Sequence, residues 1–219
     1  MWHLPIIIAL GAVFGAKLVA PGPGAADPVQ PALTIEALLD SFRKMPGLEA
    51  RFREEKTISL LALPLVSEGT LHFAPPARLV RHTLGPDRTT LLINGDTLSF
   101  GDESDQERID LEANPAVRDH VVSFLRLLEG DREALDRLWR MELTGRADAW
   151  QVTLHPISES IRRTIHRMFF EGRGSRIDRM TIVETTGDES VTTFSEINPE
   201  RSYSPAELER IFRIPSGRK

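Results

Sequence analysis

The chain has no cysteine, a single tyrosine, and aromatic residues at only 6% of its 219 positions. Without cysteine there can be no disulfide, thiolate metal site, cysteine nucleophile or acylated N-terminal cysteine. Positive charge is also short: 27 Lys and Arg against 32 Asp and Glu leave a net charge of −5. That balance argues against nucleic acid as the main partner. Long apolar runs occur in one place only. LPIIIALGAVFGA, Leu4 to Ala16, is about 13 residues, the length of a signal-peptide core and too short to span a bilayer. Gly24 and Ala26 stand at −3 and −1 of a cut before Asp27. The expectation is a signal peptide over residues 1–26, then one domain over 27–219 working outside the cytoplasm.

Motifs for chemistry are equally scarce. There is no phosphate-binding glycine loop and no GxSxG elbow. The six histidines, His3, His72, His82, His120, His155 and His166, show no HxH or HExxH spacing. His72 and His82 fall on neighbouring strands and read as exposed strand histidines. GDESDQE, Gly101 to Glu107, is rich in carboxylates but lacks the ligand alternation of a calcium loop. It reads as a solvated hairpin turn. No catalytic residue, metal or cofactor is expected, and a hydrolase would need a nucleophile beside a base.

What the sequence does have is alternation. Thr34 can cap a helix whose Ile35, Leu38, Leu39 and Phe42 form one stripe, stopped at Pro46–Gly47. From Leu48 the apolar period switches to two. Strands are predicted over 49–58, 67–74, 78–84, 89–93, 97–100 and 108–111, with Asn94–Gly95 as the strongest hairpin signal. Val117, Val121, Phe124, Leu125 and Leu128 then lie at helical spacing, and Asp131 can cap a second helix with Leu135, Leu138 and Trp139. Five more strands follow, over 141–144, 150–155, 165–171, 176–184 and 190–197, and Ser204–Pro205 opens a last short helix. About eleven strands without βαβ alternation form a largely antiparallel sheet that must curl or split. Its apolar face needs a cover, and the helical segments are the candidates. The class is mainly β with α: an unclosed antiparallel barrel covered by helices.

GTLHFAPPARL (Gly69–Leu79) poses the functional question. Leu71 and Phe73 share one face, Thr70 and His72 the solvent face, and Pro75–Pro76 ends the strand. The apolar face could cover a permanent core or an exchangeable ligand. Five motifs in order give the chain a likeness to known proteins: GLEARFREEK (47–56), GTLHFAPPARL (69–79), LLINGDTLSF (91–100), WQVTLHP (150–156) and IDRMTIVETTGDES (177–190). It resembles the periplasmic outer-membrane lipoprotein carrier family, the LolA-like proteins. EEKTISLLALPLVSEGTL (54–71) is similar to the apolar insert of a subgroup associated with aryl-polyene and lipid-product gene clusters.

The resemblance implies a helical lid over a hydrophobic cavity that holds the acyl chains of a lipoprotein or other lipidated product. The residues expected to line it are Leu38, Phe42, Leu71, Phe73, Leu92, Leu98, Phe100, Val121, Phe124, Leu125, Leu128, Val152, Leu154, Met180 and Ile182, in a space left incompletely packed. Burial there is worth roughly 0.8 kcal/mol per methylene and requires no reactive group. Leu60, Leu61, Leu63 and Leu65 form an apolar segment that is a docking loop if exposed, part of the lid if tucked in, or a simple strand extension. The family often carries a basic residue before the hairpin proline, where this chain has Pro75. The implied partners are lipidated cargo, an inner-membrane transporter as donor and an outer-membrane acceptor, served by a monomeric periplasmic carrier. A lipid-responsive regulatory sensor of the same fold is the alternative.

Overall fold

The computed structural model describes residues 32–215, so the expected signal peptide lies outside the described residues. Helix α1 (Ile35–Arg43) starts where Thr34 accepts a hydrogen bond from the amide of Ala37 at 3.2 Å. Strands β1 (Leu48–Thr57), β2 (Leu65–Ala74), β3 (Arg78–Gly85), β4 (Thr89–Asn94), β5 (Thr97–Gly101) and β6 (Gln106–Asp110) follow. Then come α2 (Pro115–Leu128), α3 (Arg132–Leu138), β7 (Trp139–Arg146), β8 (Ala149–Pro156) and the single-turn α4 (Glu159–Arg162). Strands β9 (Ile165–Arg173), β10 (Arg176–Glu184) and β11 (Glu189–Asn198) precede α5 (Pro205–Ile211). The expected strands all form, within a few residues at their ends.

All eleven strands join one sheet in the order β6-β5-β4-β3-β2-β1-β11-β10-β9-β8-β7. Every pairing is antiparallel, and β6 and β7 remain unpaired with each other. The barrel is therefore unclosed. The β4–β5 loop is Gly95–Asp96, one residue beyond the expected turn centre: Asn94 pairs with Thr97, and Gly95 takes φ +59°, a conformation glycine adopts at little cost. In GDESDQE, Asp102 accepts hydrogen bonds from Ser104 and Asp105 and closes the turn.

Side chains alternate between a concave face packed against the helices and a convex face. Leu48, Phe73, Leu79, Ile93 and Leu98 lie in register across one end of the concave face. Trp139 is fully buried beneath α2, its indole N–H donating to Ser123 Oγ at 2.9 Å. At the α2–α3 turn, Gly130 (φ +62°) brings its Cα so near α1 that a Cβ would meet the Leu39 carbonyl at 2.2 Å. Arg43 donates to the Gly130 carbonyl at 2.7 Å.

The convex face departs from expectation. His72 does not face solvent; it is 7% exposed, and His82 is partly covered. The C-terminal segment crosses them. Tyr203 donates to the Leu48 carbonyl at 2.7 Å and lies 3.1 Å from His72 Nδ1. His82 Nε2 lies 2.9 Å from the Ile211 carbonyl and its Nδ1 3.0 Å from Thr90 Oγ1. Phe212 packs edge-on against Tyr203 and His72. The two strands and the last helix were each expected, but their meeting is a long-range contact that period alone does not show.

Burial holds both imidazoles below their ordinary pKa. For His72 the nearby His82 and Arg201 act in the same sense and Glu49 opposes; for His82 the Ile211 carbonyl opposes. Protonation is thus harder in the folded state than in the unfolded one, so the strap's contribution to stability is complete above about pH 6.5 and declines as pH falls below it. The melting temperature is expected to drop between pH 7 and 5. Amide exchange in residues 203–212 should rise first, and His72→Gln with His82→Gln should flatten both trends. An unchanged profile in the double variant would show that other groups set the acid sensitivity.

Candidate functional site

The space between α2 and the concave face is the candidate site. Phe124, near the middle of α2, stacks on Phe170 of β9 (centroids 5.8 Å apart, planes within 5°) and on Phe194 of β11 (6.1 Å, 15°). Phe194 pairs across strands with Phe52 of β1. Leu48, Ala50, Leu71, Ile177 and Ile197 complete the enclosure, which leaves a void of about 10 Å³. That is no more than one water. Around Phe124, α2 packs on the concave face as a core element would.

Of the fifteen residues expected to line a cavity, Leu38, Phe42, Leu71, Phe73, Leu98, Leu125, Leu128, Val152 and Leu154 are buried in the apolar cluster between helices and sheet. Val121, Phe124, Met180 and Ile182 pack against it while partly exposed. Leu92 does not belong. It pairs with Val80 and Ser99 on the convex side, while its neighbours Leu91 and Ile93 point inward. Three consecutive apolar residues, Leu91–Ile93, leave the parity of β4 open in the sequence; the pairing of Ile93 with Leu79 and Leu98 decides it. Phe100 pairs with Leu91 on the inner face but sits at the open end, 39% exposed and outside the cluster. Phe52, Phe170, Phe194 and Ile177 were not singled out, although strand alternation in ARFRE and SVTTFSE carries the signal for Phe52 and Phe194.

Polar staples hold α2 at both ends. Toward its start, Asp119 Oδ2 accepts from Ser160 Oγ at 2.7 Å, beside α4. At its end, Glu129 accepts from the amide of Ala77 in the β2–β3 hairpin at 2.8 Å and pairs with Arg126 at 2.7 Å. Pro75 supplies no side-chain donor, so a carboxylate on the helix grips the backbone of the hairpin instead. An open cleft of about 590 Å³ adjoins this staple, with Phe42 and Phe73 at its base and Arg126 and Glu129 on its wall.

Leu60, Leu61, Leu63 and Leu65 point outward at the other end of the sheet, Leu60 being 92% and Leu63 78% exposed. Residues 60–63 belong to no strand and are exposed rather than tucked in, whereas Leu65 opens β2 opposite Lys56. Asp188 fixes the base of this loop by accepting from the amide and hydroxyl of Ser59 at 2.9 and 3.0 Å.

Among the described residues, no three His, Asp or Glu side chains converge as a metal site, and no helix is long and apolar enough to cross a membrane. The arrangement offers an apolar face covered by a helix pinned at both ends, and exposed leucines. Glu129→Ala is expected to cost about 1–3 kcal/mol, the loss of a charge-assisted hydrogen bond to a partly buried amide. Denaturant titration should show that loss, and hydrogen exchange should show faster opening of Ala77 and the last turn of α2. Unchanged exchange there would mean that the staple does not hold the helix.

Several solved structures are similar to this chain. A LolA superfamily protein from Nitrosomonas europaea is 11% identical over 83% of this chain and 98% of its own, with a TM-score of 0.46. A putative outer membrane lipoprotein-sorting protein domain from Vibrio parahaemolyticus is 9% identical over 81% and 98%, at 0.43. A chain of the Pseudomonas aeruginosa MucA/MucB complex is 12% identical over 80% and 58%, also at 0.43. No curated protein matches in direct comparison. Residues 26–199 match the family model described as outer membrane lipoprotein carrier protein LolA-like, so the chain belongs to the LolA-like carrier family.

Proposed function

We propose that this protein is a non-enzymatic periplasmic carrier that takes the acyl chains of a lipoprotein or other lipidated product beneath α2 and moves them from the inner to the outer membrane. The observation that carries the reading is the cover itself. Helix α2 fills an apolar face across the gap of an unclosed sheet, and charged staples whose partners are backbone or hydroxyl groups hold its ends. Displacing α2 would expose Phe170, Phe194, Leu71 and Phe52 without breaking any strand pairing. Phe124 occupies the place of an acyl chain in the closed state. The leucine loop is the docking element, an inner-membrane transporter the donor and an outer-membrane component the acceptor. The apolar insert around it supports placement in the subgroup tied to lipid-product gene clusters, and the signal peptide over residues 1–26 would deliver the 27–219 domain to the periplasm.

Binding of cis-parinaric acid, a fluorescent fatty acid, tests the chamber. Phe124→Ala removes the internal competitor and should bind the probe several-fold more tightly than the parent, despite a cost of about 3–5 kcal/mol if the ring is a core residue. No binding by either protein would defeat the carrier reading. A second test concerns docking. Leu60→Ser with Leu63→Ser should leave melting temperature and probe affinity unchanged, because exposed residues rarely alter stability by more than about 0.5 kcal/mol. Transfer of a bound lipid to vesicles should slow severalfold. Unchanged transfer would remove the loop from the mechanism.

A further inference from the structure

The inner wall of the sheet is not apolar throughout. On β1 the inward series Leu48, Ala50, Phe52 continues as Glu54 and Lys56. Neighbouring strands bring matching groups to the same level. Arg81 of β3 pairs with Glu54 at 3.3 Å, donates to Ser67 Oγ at 3.1 Å and stacks its guanidinium 4.2 Å from the centroid of Phe52. Thr192 of β11, itself buried, donates to the other oxygen of Glu54 at 3.0 Å. One step further out, Lys56 meets Glu184 of β10 at 2.7 Å.

These pairs sit on the inner face of central strands, so they do not protect a sheet edge. Half-buried ion pairs are also a poor way to gain stability, because desolvation offsets much of their attraction. Their side chains are between 21% and 35% exposed, so water and a ligand can reach them. They lie toward the leucine-loop end of the inner face: Lys56 pairs with Leu65 and Glu54 with Ser67 in the β1–β2 ladder.

We infer that this band is a headgroup site for a zwitterionic amphiphile, with a phosphate and an ammonium on one short headgroup. The inference rests on the carrier reading, since the acyl chains of the same molecule would lie on Phe52, Phe194 and Phe170. The charge pattern selects the class. Each cation already has a carboxylate, and a purely anionic headgroup taking Arg81 would leave Glu54 with Thr192 but without a cation. A zwitterion exchanges partners instead, its phosphate going to Arg81 and Lys56 and its ammonium to Glu54 and Glu184. The Phe52 ring holds the guanidinium flat, with its edge turned to Glu54 and Ser67, partners that phosphate oxygens can replace.

The test incubates the purified full chain with vesicles of equal parts phosphatidylethanolamine and phosphatidylglycerol carrying identical acyl chains, and reads captured lipid by native mass spectrometry. The parent protein should take phosphatidylethanolamine in about tenfold excess. Glu54→Leu with Arg81→Leu should bring the ratio to about one while cis-parinaric acid still binds. Lys56→Met with Glu184→Met is the second variant, should the first not fold, and should lower the ratio in the same direction. Equal capture of the two lipids by the parent, preference for phosphatidylglycerol, or a preference that survives in a folded variant would overturn the headgroup site and leave the carrier reading standing. Capture of neither lipid with cis-parinaric acid still bound would also overturn it. Loss of both lipid capture and probe binding would instead remove the carrier reading, and the headgroup site with it.

Discussion

A sheet of eleven strands that curls without joining its two edges has to hide its concave face with something other than itself. That constraint organises the molecule. The edge strands β6 and β7 carry charged residues, as in QERID and WRMELTGR, which discourage pairing with another chain. Everything between them depends on helices laid over the concave face. Helix α2 is the central piece: its aromatic contacts join β9 and β11 in one half of the sheet, and Glu129 reaches the β2–β3 hairpin in the other. Helix α1 and the α2–α3 turn brace it through Arg43 and the close approach at Gly130.

Much of this was legible in the chain. Alternation marked every strand because half-buried antiparallel strands write their two faces into the sequence. Capping residues Thr34, Asp131 and Ser204 marked three helix starts, and each does accept the hydrogen bond its position demands. The family likeness rested on hairpin motifs whose turns and strand ends are local. Leu92 shows where such reading stops. Its face follows from registry with β3 and β5, which are partners in space. His72 shows the same limit from the other side: a polar residue at an outward position became buried because a segment some 130 residues away returned to cover it, as the contact with Tyr203 records. The state of the chamber was equally hidden. Residues that could line a cavity and residues that form a core have the same chemistry, and only the volume left between them tells the two apart.

The polar groups divide by face. On the convex side two imidazoles and a phenol anchor the C-terminal segment, flanked by Arg201, which pairs with Glu49 at 2.9 Å and Glu207 at 2.6 Å. On the concave side they are ion pairs at an opening, where solvent lowers the cost of charge. The same β1–β3 strands thus carry two different polar environments on opposite surfaces, separated by the thickness of one sheet.

The Phe124 stack has a further consequence for how tightly any guest is held. A protein whose binding-competent form is a minority shows an apparent affinity reduced by the fraction in that form. In the carrier proposed above, helix α2, seated on the face a guest would occupy, would set that fraction. Each increment of closure free energy therefore weakens retention of a guest by the same increment, whatever the guest. Strengthening the staples at Asp119 and Glu129 would weaken apparent affinity, and loosening them would raise it. A chain of this design can tune release through residues that never touch what it releases.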